Sequence, residues 1–105
     1  MNSITVQELN ELRAAGTEHQ LIDVREPNEY SHCNLGGELM PLATVGQSTE
    51  HIRRDVPVVV MCRSGMRSAK AIHHLETAHG FTNLSNLTGG ILQWADEIDP
   101  SVPKY

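Results

Sequence analysis

The sequence of 105 residues contains only two cysteines, Cys33 and Cys62, and aromatic residues make up 4% of it. Two cysteines are too few for the disulfide framework that holds small secreted domains together. No apolar run of signal-peptide type opens the sequence, and no stretch approaches the length of a membrane-spanning helix. We therefore expect a cytoplasmic protein in a reducing compartment, with no membrane partner.

Basic residues are also scarce, with 8 Lys and Arg against 13 Asp and Glu, which gives a net charge of −5. This balance argues against nucleic acid as a partner, because nucleic-acid-binding surfaces carry an excess of Lys and Arg. The hydrophobic fraction of 39% is ordinary for a globular protein that buries one core without disulfides or metal. We expect one domain over residues 1–105.

The most informative segment is an apolar run, residues 58–61, that leads directly to Cys62. A short loop with Gly65, Arg63 and Arg67 follows, and a helical pattern begins at about residue 68. Loop amides, a helix dipole and guanidinium groups all favour a thiolate, and the same surroundings suit a bound anion. The segment therefore predicts cysteine chemistry on an anion. The alternative is a buried structural cysteine, which gains nothing from adjacent cations.

Strands and helices are predicted to alternate along the chain. The predicted strands cover residues 20–24, 38–40, 57–61 and 83–87. The predicted helices follow a capping box at residues 5–8, open at Pro27, and cover residues 68–79 and 91–98, whereas residues 42–54 are at best weakly helical. This alternation is typical of a parallel α/β sheet, in which active sites lie at the carboxyl ends of the strands. Cys62 falls at such an end.

The loop of residues 62–67 resembles the active-site loop of the rhodanese (sulfurtransferase) family, a six-residue stretch led by cysteine after a central strand. Residues 21–30, 40–42 and 89–94 resemble three further segments of that family, in the right order. The resemblance covers nearly the whole chain. It implies the rhodanese-like fold, a single compact α/β domain whose central parallel sheet carries helices on both faces.

The resemblance also implies a thiosulfate sulfurtransferase. In such a reaction the Cys62 thiolate takes a sulfane sulfur from thiosulfate or a similar donor and holds it as a persulfide. Cyanide or a thiol then removes the sulfur, which is covalent catalysis in two displacements. The implied partners are a small anionic sulfur donor and a thiol acceptor, such as a small dithiol or a thioredoxin-like protein. We expect no cofactor and no metal, since no two of the six histidines are spaced as helical zinc ligands.

In this interpretation Cys62 is catalytic, and the rest of the loop binds substrate. The predicted substrate-binding residues are Arg63, Ser64, Gly65, Met66, Arg67 and Ser68. Arg67 is expected to orient the dianionic donor and stabilise the leaving sulfite, because a planar guanidinium matches an oxyanion. Arg63 either captures substrate or is a solvated charge. Gly65 is expected at positive φ, and Ser68 either donates to the anion or caps the helix.

Three other functions remain as alternatives. Cysteine-dependent phosphatases carry a motif of the form His-Cys-x5-Arg. Here only four residues separate Cys62 from Arg67, and Met61 takes the place of the histidine. A rhodanese-like binding or regulatory module typically lacks the catalytic cysteine. A redox pairing of Cys33 with Cys62 depends on a geometry that the sequence does not give.

Several further residues are expected to build the scaffold. Asp23, Arg25 and Glu26 match the family's Asp-x-Arg-Glu segment, and Asp23 is expected to accept backbone or arginine hydrogen bonds. Cys33 is expected to be a half-buried filler. Trp94 and Phe81 are expected to lie in the core.

Overall fold

The computed structural model describes residues 1–105 and contains one sheet of five parallel strands in the order β1-β5-β4-β2-β3. The strands are β1 (Asn2–Ile4), β2 (Gln20–Asp23), β3 (Glu38–Leu39), β4 (Val58–Met61) and β5 (Leu84–Leu87). The α-helices are α1 (Val6–Ala14), α2 (Pro27–His32), α3 (Met66–His79) and α4 (Gly90–Glu97). Two short 3₁₀ helices cover Val45–Gln47 and Thr49–His51.

Strand β4 occupies the middle of the sheet and is buried along its whole length. It pairs with β2 on one side and with β5 on the other, in the registers Val60 to Ile22 and Val60 to Asn86. A continuous run of β-branched residues suits a strand that is covered on both faces. The residue that follows β4, Cys62, therefore emerges at the carboxyl edge of the sheet.

Successive residues of β4 face two separate cores. Val58, Val60 and Cys62 lie in a cluster that includes Ile72 and Phe81, on the α3 side of the sheet. On the opposite side, Val59 and Met61 pack in a second cluster with side chains of α1 and α4, Trp94 among them. Helices therefore cover both faces, and the predicted fold class and the core positions of Phe81 and Trp94 are confirmed.

The predicted capping box opens α1. The Glu8 amide donates to Thr5 Oγ1 at 3.1 Å, and the Thr5 amide donates back to Glu8 Oε1 at 2.9 Å. The two bonds satisfy amides that the first turn of a helix leaves without partners. The helix ends just before Gly16, which has φ +66°. No helix in the structure combines the length and the apolar character that crossing a membrane requires.

The structure differs from the sequence-based prediction at the edges of elements. Strand β1 was not predicted, because three residues with a mostly exposed pattern carry too little signal, and pairing with β5 creates it. Helix α3 begins at Met66 instead of residue 68. Within residues 42–54 the chain forms short 3₁₀ turns, which a Gly- and Thr-containing sequence supports better than an α-helix.

A fully buried ion pair lies where β2 ends. Asp23 and Arg25 both have 0% side-chain exposure, and Arg25 Nη2 donates to Asp23 Oδ2 at 2.8 Å. The Arg25 amide also donates to Asp23 Oδ1 at 3.1 Å, so Asp23 accepts the backbone and arginine bonds expected of it. The guanidinium further donates to the Cys33 carbonyl at 2.7 Å and to the Tyr105 hydroxyl at 2.9 Å. Burial opposes the charge of Arg25, but these bonds outweigh it and keep its pKa above the usual value.

We expect Asp23→Ala to lower the free energy of unfolding by about 3–5 kcal/mol, because it leaves the buried Arg25 charge without its partner. Urea unfolding measures the loss. The matched control is Asp55→Ala, which removes an ion pair of the same 2.8 Å length to Arg53 at the exposed surface and should cost far less. Equal losses in the two variants would contradict the structural role of the buried pair.

Candidate active site

The loop after β4 wraps around the sulfur of Cys62. The cysteine residue as a whole is 1% exposed. Gly65 is the N-cap residue of α3 with φ +106°, a left-handed conformation that glycine adopts readily. This conformation turns the Gly65 amide toward the sulfur, and the amide donates to Cys62 Sγ at 3.0 Å. The positive φ predicted for Gly65 is therefore present. The Gly65 amide, together with the backbone amides of Ser64 and Ser68, surrounds the sulfur, and we call this group of donors the cradle.

Neutral hydrogen-bond donors control the ionisation of Cys62. Burial raises the pKa of the thiol, but the Ser68 side chain and the backbone amides of Ser68, Gly65 and Ser64 lower it by more. The pKa therefore lies below the ordinary value for cysteine. The arginines, predicted to favour the thiolate together with the loop amides and the helix dipole, are not among the largest influences, because Arg67 pairs with Glu29 and Arg63 lies against the Tyr105 ring.

Arg67 is held by a residue that the sequence analysis did not select. Its guanidinium donates to both carboxylate oxygens of Glu29, from Nη1 at 2.6 Å and from Nη2 at 2.8 Å. The Tyr105 hydroxyl donates to Glu29 Oε2 at 2.7 Å and accepts from Arg25. The arginine bonds are the largest influence on Glu29 and lower its pKa to about 2. Glu29 lies within the segment of residues 21–30 that resembles the family, and this was the available signal.

The remaining loop residues lie at the surface around the buried sulfur. Ser64 is exposed, and Met66 is 72% exposed. Arg63 is half-buried, and its guanidinium carbon lies 5.1 Å from the centre of the Tyr105 ring. The structure thus brings Cys62, Gly65 and Ser68 into contact, and it leaves Arg63, Ser64 and Met66 at the rim.

The first turn of α4 fixes the backbone of the loop from the other side. The Ile91 amide donates to the Cys62 carbonyl at 3.0 Å, and the Leu92 amide donates to the Arg63 carbonyl at 3.2 Å. Gly90, with φ +60°, makes this approach possible, because a Cβ there would lie 2.4 Å from the Arg63 oxygen and 2.5 Å from the Cys62 oxygen. This contact gives a physical reason for Gly90, the second of the two adjacent glycines in the segment at residues 89–94.

Ser68 connects the sulfur to β5 through a residue that the sequence analysis missed. Its hydroxyl oxygen lies 3.4 Å from Cys62 Sγ and donates to Asn86 Oδ1 at 2.5 Å. Asn86 Nδ2 in turn donates to the Gly65 carbonyl at 3.1 Å. Ser68 lies within the first turn of α3, whose N-cap is Gly65, so of the two roles considered for Ser68 the structure does not show helix capping. One pattern in the sequence could have pointed to Asn86. It lies two residues after the buried Leu84, so its polar amide faces the same side of the strand.

Cys33 takes no part in this cradle. It is a half-buried free cysteine, as expected, and its Sγ donates to the Pro103 carbonyl at 3.7 Å.

The fold and the site together define a class: a parallel α/β protein in which a loop presents a buried cysteine to backbone amides at a helix N-terminus. The sequence model of the rhodanese-like domain matches residues 5–97, and the chain belongs to this family. The predicted resemblance is therefore confirmed.

Two curated relatives show how the chain compares with longer proteins. It is 40% identical over 89 residues to the uncharacterized protein YqhL of Bacillus subtilis, which covers 84% of this chain and 70% of that protein. It is 33% identical over 107 residues to the probable adenylyltransferase/sulfurtransferase MoeZ of Mycobacterium tuberculosis. That alignment covers 99% of this chain but 27% of MoeZ, so the similarity concerns about a quarter of the longer protein.

Solved structures give the same family. A rhodanese-like domain protein from Staphylococcus aureus superimposes with a TM-score of 0.83 at 28% identity, covering 100% of this chain and 99% of that one. A rhodanese-related protein from Thermoplasma volcanium superimposes with a TM-score of 0.81 at 29% identity, covering 100% of both chains.

We expect Gly90→Ala to displace the active-site loop, because the added Cβ would overlap the carbonyls of Cys62 and Arg63. The variant should unfold at a lower temperature and should show an altered alkylation rate at Cys62. Gly16→Ala is the matched control, since Gly16 has a similar φ of +66° but nothing within 4 Å of the added atom. If both variants lose the same stability, backbone strain alone explains the effect and the close approach of α4 does not matter.

Proposed function

We propose that this protein is a sulfurtransferase that moves a sulfane sulfur from thiosulfate, or a similar small anionic donor, to a thiol or to cyanide through a Cys62 persulfide. The observation that carries the proposal is the buried Cys62 sulfur with the Gly65 amide 3.0 Å away and a pKa below the ordinary value. Membership of the rhodanese-like family supports it, as does the sulfurtransferase activity in the name of its relative MoeZ.

In the first step the Cys62 thiolate attacks the outer sulfur of thiosulfate. A bond forms between the two sulfur atoms, and the bond from the outer sulfur to the sulfonate breaks. Sulfite leaves with the bonding electrons, and the negative charge that the thiolate carried now lies on the terminal sulfur of the persulfide. Backbone amides at the N-terminus of α3 are suited to stabilise that charge, because they point toward the cradle and lie at the positive end of the helix dipole.

In the second step an acceptor attacks the terminal sulfur and releases the Cys62 thiolate. With cyanide the product is thiocyanate, and with a thiol it is a new persulfide on the acceptor. The protein is then ready for another donor, so the two substrates react in turn and the kinetics should be ping-pong. We propose a thiol, either a small dithiol or a thioredoxin-like protein, as the acceptor in a reducing cytoplasm. The two free cysteines fit such a compartment.

The rim residues are suited to handle the donor. Arg63, Ser64 and Met66 lie at the surface beside the buried sulfur, and we propose that Arg63 attracts the anion. We propose that Arg67 orients the donor and stabilises departing sulfite. Because Glu29 already holds both ends of the Arg67 guanidinium, the donor must compete with this carboxylate.

A phosphatase is the less favoured alternative. Only four residues separate Cys62 from Arg67. The residue before the cysteine is the fully buried Met61, whereas the phosphatase motif has a histidine at that position. The shorter loop suits a single sulfur atom better than a tetrahedral phosphate. A binding module without chemistry would have no need of Cys62. A redox pair with Cys33 is not favoured either, because the sulfur of Cys33 is directed to the Pro103 carbonyl.

We expect thiosulfate to make the protein heavier by one sulfur atom, located on Cys62, and cyanide or dithiothreitol to reverse the change. Intact-mass spectrometry followed by peptide mapping measures it. Cys62→Ser should accept no sulfur, whereas Cys33→Ser is the matched control and should keep most of the activity. Sulfur on Cys33, or turnover that survives Cys62→Ser, would refute the proposal. Hydrolysis of an aryl phosphate that depends on Cys62 would favour the phosphatase instead.

We expect Arg67→Ala to lower kcat/KM for thiosulfate by roughly 10²–10³-fold, the scale for losing one preorganised electrostatic group. Arg67→Lys should recover only part of the loss, since an ammonium group cannot form two parallel bonds. Arg63→Ala should act mainly by raising KM, and more strongly at low ionic strength because a rim charge is screened by salt.

Glu29→Gln provides the converse variant, because it removes the competing carboxylate and should lower KM for the donor. Steady-state kinetics of all these variants at two salt concentrations tests the roles, after each is shown to be folded. Wild-type turnover in Arg67→Ala would mean that backbone amides alone hold the anion.

A further inference from the structure

The Ser68 hydroxyl lies between two groups that compete for its single hydrogen. Its oxygen is 2.5 Å from Asn86 Oδ1 and 3.4 Å from Cys62 Sγ. A hydroxyl donates one hydrogen bond and accepts others. In this geometry the short contact takes the hydrogen, and the Ser68 oxygen then faces the sulfur as an acceptor. Such an acceptor pairs with the S–H of the thiol, and the Ser68 hydroxyl favours the thiolate only when its hydrogen turns from Asn86 toward the sulfur.

The orientation of the Asn86 amide is fixed by its other end. Nδ2 donates to the Gly65 carbonyl at 3.1 Å, so Oδ1 must face Ser68. A rotation of the amide by 180° would bring its oxygen against the Gly65 carbonyl oxygen and its NH₂ group against Ser68. The hydrogen bond from Asn86 to the Gly65 carbonyl would then be lost. Asn86 itself is set by the sheet, because β5 pairs it with Val60, two residues before Cys62.

We propose that Asn86 is a positioning residue that holds the Ser68 hydroxyl hydrogen away from the Cys62 sulfur and so controls how readily the thiol is deprotonated. The inference rests on the proposed function in one respect, namely that Cys62 is the nucleophile. The resting thiol donates to Ser68, which donates to Asn86. When the thiolate forms, the Ser68 hydrogen must leave Asn86 to reach the sulfur, and this competition makes the thiolate harder to form than the amides alone would.

Such a restraint has a chemical use. The Gly65 amide and its neighbours favour the thiolate, yet a thiolate of very low pKa is a poor nucleophile, and the best attacking thiol has a pKa near the working pH. A competing acceptor on Ser68 offsets part of the amide effect. Asn86 would thereby keep Cys62 both ionisable and reactive.

The effect of Asn86 on Cys62 can be measured separately from the effects of the charged groups around the sulfur. From α3, Arg67 interacts electrostatically with Cys62, but it is paired to Glu29 of α2. In the loop, Arg63 lies against the Tyr105 ring, and at the end of β2 the Asp23 carboxylate is paired with its neighbouring arginine. Strand β5 and the first turn of α4 contribute no titratable side chain. A neutral replacement of Asn86 therefore changes no charge near the sulfur.

The test is the pH dependence of Cys62 alkylation by iodoacetamide, measured in a Cys33→Ser protein so that one thiol reacts. Asn86→Ala should lower the midpoint of the rate profile by about one pH unit, the size of one hydrogen bond to a charged group. The same substitution in a Ser68→Ala background should leave the midpoint unchanged, because no hydroxyl remains to be redirected. The loss of the Gly65 bond is common to both backgrounds and cancels in the comparison.

A midpoint that rises or stays constant in Asn86→Ala would overturn the proposal, and so would an equal shift with and without Ser68. Asn86→Leu keeps the branched shape of the side chain without an acceptor, carries the same expectation, and replaces the alanine variant if that one fails to fold. Alkylation requires no sulfur donor, so the result is independent of turnover. Failure of persulfide formation would refute the proposed function while leaving this measurement intact.

Discussion

The site depends on the hydrogen bonds that hold the backbone of Cys62 and Arg63 to the first turn of α4. The loop after a parallel strand has no strand partner of its own, and its carbonyls would otherwise need water or side chains. With the carbonyls held by Ile91 and Leu92, the opposite side of the loop presents its amides inward. The Gly65 amide can then reach the sulfur, and the N-terminus of α3 reinforces it.

A second network links the deep core to the rim of the site. The buried Asp23–Arg25 pair is bonded to the Tyr105 hydroxyl, which is bonded to Glu29, which clamps Arg67. Each charge in this series has a partner, as charges removed from water require. The series positions Arg67 without placing a free cation at the sulfur. The thiol is therefore tuned by neutral donors, and the guanidinium of Arg67 is available to an anion only in competition with a carboxylate.

Much of the fold and the centre of the site were predictable from local pattern. The run of residues 58–61 is apolar, with three β-branched valines, because both faces of β4 are covered, and this pattern marks a central parallel strand. Cys62 and Gly65 follow it directly, so their places at the strand end and in the loop needed no long-range information. Strand β1 was missed because its three residues are defined by pairing with β5 and not by their own composition.

Local sequence patterns account for the order of the strands and helices from α1 onward, for the cysteine at the end of the central strand and for the glycine that turns the loop, because these follow from burial and backbone conformation. Which side chains meet at the site depends on the packing of distant elements. Glu29 is 38 positions from Arg67, and Asn86 is 18 positions from Ser68. Sheet register brings Asn86 to the site, and the placement of α2 beside the loop brings Glu29. Such contacts leave no periodic trace in the sequence, since each depends on how distant elements pack.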